Sequence, residues 1–274
     1  MSGWVSGRLR VLPIMAGLAA LAGAWLVPAR QSAQARPAPG KKASAPPARS
    51  STAAPAQTAK PAVPAMRQNT TPFWLQTKGG GRAIVYPPAH AGRQQLAVML
   101  HGMCDAPENE CPWLAPAVTP HAWLVCPRAS LACRGGGAMW SAARRNRTVE
   151  GAVQSLEKAR PDEVDTAGAT LMGFSQGAYA AFSIARTDPG EWSRLLLIAA
   201  KVYPDAKRLE RHGVQRVLFA AGDYDMTHGP MATAARRLSR RGYPARFMSL
   251  GKVGHTFPSD MTKRMTDAVG WLGL

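Results

Sequence analysis

The sequence predicts an α/β domain with a mostly parallel central sheet and helices on both faces. Short aliphatic and β-branched runs alternate with helical stretches across residues 71–274, the order expected of strands joined by crossover helices. Some of those runs, 96–100 above all, are apolar without a break, as strands covered on both faces require. The chain has 274 residues, 46% of them hydrophobic, enough for a sizeable core. No repeat of 20 to 50 residues and no heptad pattern runs through it, which excludes a solenoid and a coiled coil.

The front of the chain reads differently. Arg8 and Arg10 precede an uncharged run over 11–27, and Ala33-Gln34-Ala35 offers a small-x-small cleavage site. Residues 1–35 therefore read as a signal peptide, with the mature protein periplasmic or extracellular. The alternative is an uncleaved N-terminal membrane anchor, because the run is near the lower length limit for a span. Residues 36–70 are rich in Pro, Ala, Ser and Lys with few large apolar side chains, the composition of a basic, disordered linker. Residues 71–274 form the folded domain.

The formal net charge is +18. Nine of the 34 Lys and Arg and none of the 16 Asp and Glu fall in residues 1–70, so residues 71–274 keep 25 cations against 16 anions. That balance favours an anionic envelope surface as a partner. No helix-turn-helix or zinc-finger pattern makes the chain a specific nucleic-acid reader.

In the domain the expected strands are 82–86, 96–100, 122–126, 169–173, 195–199, 217–221 and 246–250. The expected helices are 147–158, 176–186, 230–240 and 260–272. Only a short segment separates the strand ending near Ala200 from the next at Val217, which leaves no room for a lid domain.

Cys104, Cys111, Cys126 and Cys133 are the only cysteines. An even count behind a signal peptide points to disulfides, and pairing of neighbours, Cys104 with Cys111 and Cys126 with Cys133, closes two short loops. The other pairings stay open. A zinc site is the rival reading, but the spacing lacks the close pairs that structural zinc sites use.

The chemistry centres on Gly173-Phe174-Ser175-Gln176-Gly177, between a strand and a helix rich in small residues. In a G-x-S-x-G turn the glycines permit a sharp bend that lifts the serine hydroxyl above the sheet. A serine nucleophile needs a base, and the base an orienting acid. His255 follows the last strand and Asp225 follows strand 217–221, so both reach the same sheet edge as Ser175. Asp223 is a rival acid and His228 a weaker rival base. Two backbone N–H groups are needed for an oxyanion. Gln176 supplies one, and Met103, in the loop after 96–100, is the candidate for the other. His101 reads as a structural loop histidine. Trp140 is a candidate wall of the acyl pocket, and core packing is its alternative role.

With His101-Gly102 after a strand, Gly-Phe-Ser-Gln-Gly, Gly222-Asp223-Tyr224-Asp225 and Gly254-His255 in that order, the chain resembles the α/β-hydrolases. It is similar within them to the small, capless carboxylesterase and phospholipase-like group. The resemblance spans residues 96–257 and implies Ser175 as nucleophile, His255 as base and Asp225 as acid. It implies a serine esterase acting on a small ester or an exposed acyl group, with no metal and no organic cofactor. Peptidase, thioesterase and amidase activity rest on the same three side chains. A non-catalytic module that binds envelope polyanions is the reading from another class.

Overall fold

The computed structural model describes residues 65–187 and 191–274. The expected signal peptide and nearly all of the expected linker lie outside the described residues. Among these, no helix is long and apolar enough to cross a membrane.

The described residues form ten strands and six helices. Strands β1 (Phe73–Gln76), β2 (Arg82–Tyr86), β3 (Gln94–Leu100), β4 (Ala122–Pro127), β7 (Val164–Phe174), β8 (Trp192–Ile198), β9 (Arg216–Ala221) and β10 (Ala245–Ser249) form one sheet. Its spatial order is β1-β2-β4-β3-β7-β8-β9-β10. From β4 to β10 every pairing is parallel, and only β1 and β2 join antiparallel at one edge. Two short strands, β5 (Leu131–Ala132) and β6 (Ala138–Met139), make a separate hairpin.

Alternation along each strand divides the core into two layers. Leu96, Val98 and Leu100 of β3, with Leu171, Leu195, Leu197, Val217 and Phe219, face one side. There they meet α2 (Arg145–Ala159), α3 (Gln176–Ile184), α4 (Ala206–Arg211) and α5 (His228–Ser239). Ala97, Met99, Leu124, Met172, Leu196 and Leu218 face the other side, against α1 (Pro107–Val118) and α6 (Met261–Leu272). Each fully buried Leu or Met contributes about 1.5–3 kcal/mol through the water it leaves. Between β8 and β9 the chain forms only α4, and among the described residues no lid stands over the sheet.

The expected strands are present, and the sequence reading missed β1, α1, α4 and the β5–β6 hairpin. Helix α1 was hidden by Pro112 and Pro116 inside it. An internal proline costs a helix roughly 3 kcal/mol. Here Pro107 starts the helix where its missing N–H is harmless. Fully buried Cys111, Leu114 and Val118 then hold it to the sheet.

The disulfides correct the expected pairing of neighbours. Cys111 on α1 joins Cys126 on β4, and Cys104 in the loop after β3 joins Cys133 in the β5–β6 hairpin. The physical reason is α1. It turns Cys111 into the layer that also takes the side chain of Cys126, which leaves Cys104 facing the hairpin. With all four sulfurs bonded to one another, none is left to ligate zinc.

Residues 65–70, expected to belong to the linker, contact the domain. Arg67 donates its backbone N–H to Ala89 O, its guanidinium pairs with Glu163, and the same group lies 4.8 Å from the Trp123 ring. Ala91 N–H donates to Ala65 O, so residues 65–70 strap onto the domain.

Candidate active site

Three strands end at the same edge of the sheet and each delivers one polar side chain. Ser175 follows β7 with φ 52° and ψ −120°, a left-handed backbone unusual for a residue with a Cβ. Its N–H donates to Ile198 O (2.9 Å), which holds the strained residue against β8. Gly177 explains the second glycine of the turn: a Cβ there would drive into the Leu100 carbonyl, so α3 could not lie so close to β3.

Asp225 lies in the loop after β9, its side chain only 2% exposed. Gly222 at the start of that loop packs against the carbonyls of Val253 and Gly254, where any Cβ would collide. The close approach lets Asp223 N–H donate to Gly251 O (2.8 Å) and Tyr224 N–H to Val253 O (3.0 Å). The acid loop and the histidine loop are thereby laced together.

The result is a line of contacts. His255 Nδ1 lies 2.7 Å from Asp225 Oδ2, and His255 Nε2 lies 2.8 Å from Ser175 Oγ. With Nδ1–H donating to the carboxylate, Nε2 is left to accept the serine hydroxyl. The imidazole is 48% exposed on its open side. It packs on the Phe174 ring, 5.0 Å between centroids, and Phe257 backs Phe174 at 4.6 Å.

Burial pushes the Asp225 carboxyl upward. The N–H of Thr227 (2.8 Å to Oδ1) and the contact with His255 outweigh it and hold the carboxyl below the ordinary carboxylate value. Asp223 stands apart from this line. It accepts from the Ser249 hydroxyl and lies 3.7 Å from His228 Nδ1. His228 opens α5, stacks edge-on against Phe247 and contacts Gly222 O through Nδ1.

Behind the serine, the loop after β3 is held by buried polar groups. His101 is fully buried. Its Nε2 accepts from Ala129 N–H (3.0 Å), so Nδ1 carries the proton and donates to Gly102 O (2.8 Å). Burial holds its pKa down, in keeping with a neutral ring. Trp140, 6% exposed, donates its indole N–H to His101 O (2.8 Å) and its backbone N–H to Gln176 Oε1 (2.9 Å). The indole thus lies behind the loop as a brace. Neither the Met103 nor the Gln176 backbone N–H donates to an acceptor among the described residues. The Met103 side chain is 62% exposed, and Met226, next to Asp225, is 91% exposed.

Glu110 is the residue that sequence reasoning missed. It is 3% exposed on α1, and its Oε1 accepts the Gly102 N–H (2.8 Å). Burial pushes its pKa up to about 8, against the pull of that N–H and with the help of the nearby Asp105 charge. The available signal was Pro107 followed by Glu108 and Glu110, the composition of a helical first turn.

An open, mostly parallel sheet with a serine on a strained strand-to-helix turn gives the chain the α/β-hydrolase fold. Solved structures agree. The chain is similar to the crystal structure of esterase PE8 (20% identity, TM-score 0.52, 73% of this chain and 100% of that one). It is similar to the Pyrobaculum calidifontis esterase (16%, TM-score 0.57, 75% and 85%) and to an S-formylglutathione hydrolase from Agrobacterium tumefaciens (16%, TM-score 0.53, 76% and 99%). Protein-family models and curated proteins give no match to the sequence.

Proposed function

We propose that the protein is a serine hydrolase that cleaves carboxylic esters through an acyl-enzyme. The observation that carries this reading is the unbroken contact line from Ser175 through His255 to Asp225. In the proposed reaction Ser175 attacks the ester carbonyl as its proton passes to His255 Nε2. Asp225 keeps the imidazole in the working tautomer and stabilises the imidazolium. The Met103 and Gln176 N–H groups receive the developing oxyanion. His255 then returns the proton to the departing alcohol, and a water activated by the same histidine releases the acid. The steps use side chains and backbone of this chain alone.

Structural neighbours named as esterases favour esters over amides. The exposed Met103 and Met226 beside the triad suit an apolar acyl group. With no lid to open, the substrate is a small ester or an acyl group exposed on a larger molecule. Two disulfides suit an oxidising compartment, supporting a periplasmic or extracellular protein.

The test is labelling with a fluorophosphonate probe beside Ser175→Ala, followed by hydrolysis of p-nitrophenyl esters of increasing chain length. Labelling and turnover by the wild type, both lost in the variant, are the expected result. A folded wild type that neither labels nor turns over would overturn the proposal and leave a non-catalytic module.

A further inference from the structure

We propose that a cleft walled by the β1–β2 turn, the end of β4 and the start of α2 binds a multiply charged phosphate-class anion. The cleft has a volume of about 760 Å³. That lies within the roughly 300–1,000 Å³ of small-molecule sites, so it suits a discrete charged group better than a flat surface does.

Five cations line it: Lys78, Arg82, Arg128, Arg144 and Arg147. No Asp or Glu is among the lining residues. Arg128 reaches Glu108 at 3.5 Å, while the other four make no salt bridge among the described residues. Arg82 lies over the Trp74 ring at 4.4 Å, which leaves the edge of its guanidinium free to donate.

The walls are fixed. Lys78 N–H donates to Ser155 Oγ (2.9 Å), tying the turn to α2, and Arg128 N–H donates to Arg82 O (2.9 Å), tying β4 to β2. The cations therefore do not spread apart by moving the backbone.

The start of α2 supplies an independent argument. A helix N-terminus carries partial positive charge, and each cation placed there costs about 0.3–1 kcal/mol. Helix α2 nevertheless has Arg144 as its N-cap residue and Arg145 and Arg147 in its first turn, with no acidic residue. Arg144 and Arg147, three apart, are exposed and both line the cleft. An anion seated there relieves the repulsion among the cations and with the helix end.

The chemistry of the ligand follows from the donors. Arginine forks bind oxyanions in bidentate fashion. Cations arriving from three chain segments suit a group that presents oxygens in several directions, as phosphate does. The proposal stands apart from the hydrolase reading, since none of these residues belongs to the Ser175–His255–Asp225 line.

Calorimetric titration of the full-length chain with sodium tripolyphosphate, in about 0.15 M salt to screen diffuse attraction, tests it. Arg144→Gln with Arg147→Gln is compared with Arg237→Gln with Arg240→Gln, an equal charge change on exposed residues of α5 and its C-cap. The expected result is saturable binding, weakened at least tenfold by the first pair and less than twofold by the second. Vesicles of phosphatidylglycerol and phosphatidylcholine form a second arm. Vesicle binding lost with the same first pair would identify the anion as a lipid headgroup; tripolyphosphate binding alone would identify it as a soluble phosphate compound. Absence of tripolyphosphate binding to the wild type, or equal weakening by both pairs, would overturn the assignment.

Discussion

Asp223 and Asp225 sit two residues apart on one loop and meet different surroundings. Asp225 is buried against His255 and Thr227, whereas Asp223 is exposed and faces Ser249 and His228. Asp225→Asn should lower kcat by roughly 10⁴-fold, since the amide no longer holds the imidazole in the working tautomer. Asp223→Asn should stay within about threefold, because loss of a surface carboxylate that orients no catalytic group leaves the barrier nearly unchanged. Ester kinetics on the two variants decide it, and a reversed order would move the acid to Asp223. Glu110 gives a second prediction at this scale. Its folded pKa of about 8 lies above the ordinary 4.5, so the folded protein binds its proton more tightly than the unfolded chain does. Its contribution to stability is full below the lower value, shrinks as pH rises through that window, and is lost above about 8. Glu110→Gln keeps an acceptor for Gly102 N–H and does not titrate. The wild-type melting temperature should therefore fall relative to the variant between about pH 5 and pH 8; parallel profiles would show that Glu110 does not titrate there. Sequence alone left Asp223 and Asp225 unresolved because the choice depends on which side chain turns inward. Glu110 was missed because its role depends on a helix whose internal prolines outweigh the signal of its first turn.

Among the elements, those buried on both faces were the legible ones. Strands β3, β4, β7, β8 and β9 carry buried stretches built mainly of Leu, Val, Ile, Ala, Met and Phe, and Ser175 and the Asp223–Asp225 pair lie just past the ends of two of them, β7 and β9. Strand β1 is short and half exposed at the sheet edge, so its pattern carries little signal. The two disulfides belong to different elements and should be separable. Cys104 adjoins Met103, so replacing Cys104 and Cys133 by Ser should loosen the candidate oxyanion loop. It should lower kcat at least tenfold and cost about 2–4 kcal/mol of stability. Replacing Cys111 and Cys126 by Ser loosens α1 against β4, with a similar stability cost of about 2–4 kcal/mol and kcat within about threefold below the melting transition. Denaturant melts with ester kinetics on both double variants measure this, and an equal fall in kcat would remove the distinction.

On the scale of the whole molecule, contacts of the domain reach back into the segment that composition reads as linker. Residues 65–70 look like linker because they hold no branched aliphatic or aromatic side chain, yet Arg67 lies against Trp123 and Glu163. A chain beginning at residue 71 should therefore melt lower than one beginning at residue 65, by on the order of 5 °C. Equal melting temperatures would show that the strap adds nothing. The nested order of the disulfides bears on how the molecule is made. Cys104 emerges first during synthesis and meets Cys111 long before Cys133 exists. Oxidation in order of appearance would lock Cys104 to Cys111 and Cys126 to Cys133, pulling the start of α1 away from the sheet. Production of the native molecule thus depends on delayed oxidation or on a thiol exchange catalyst that reshuffles early bridges, and the yield of active protein becomes a property of the compartment as much as of the chain.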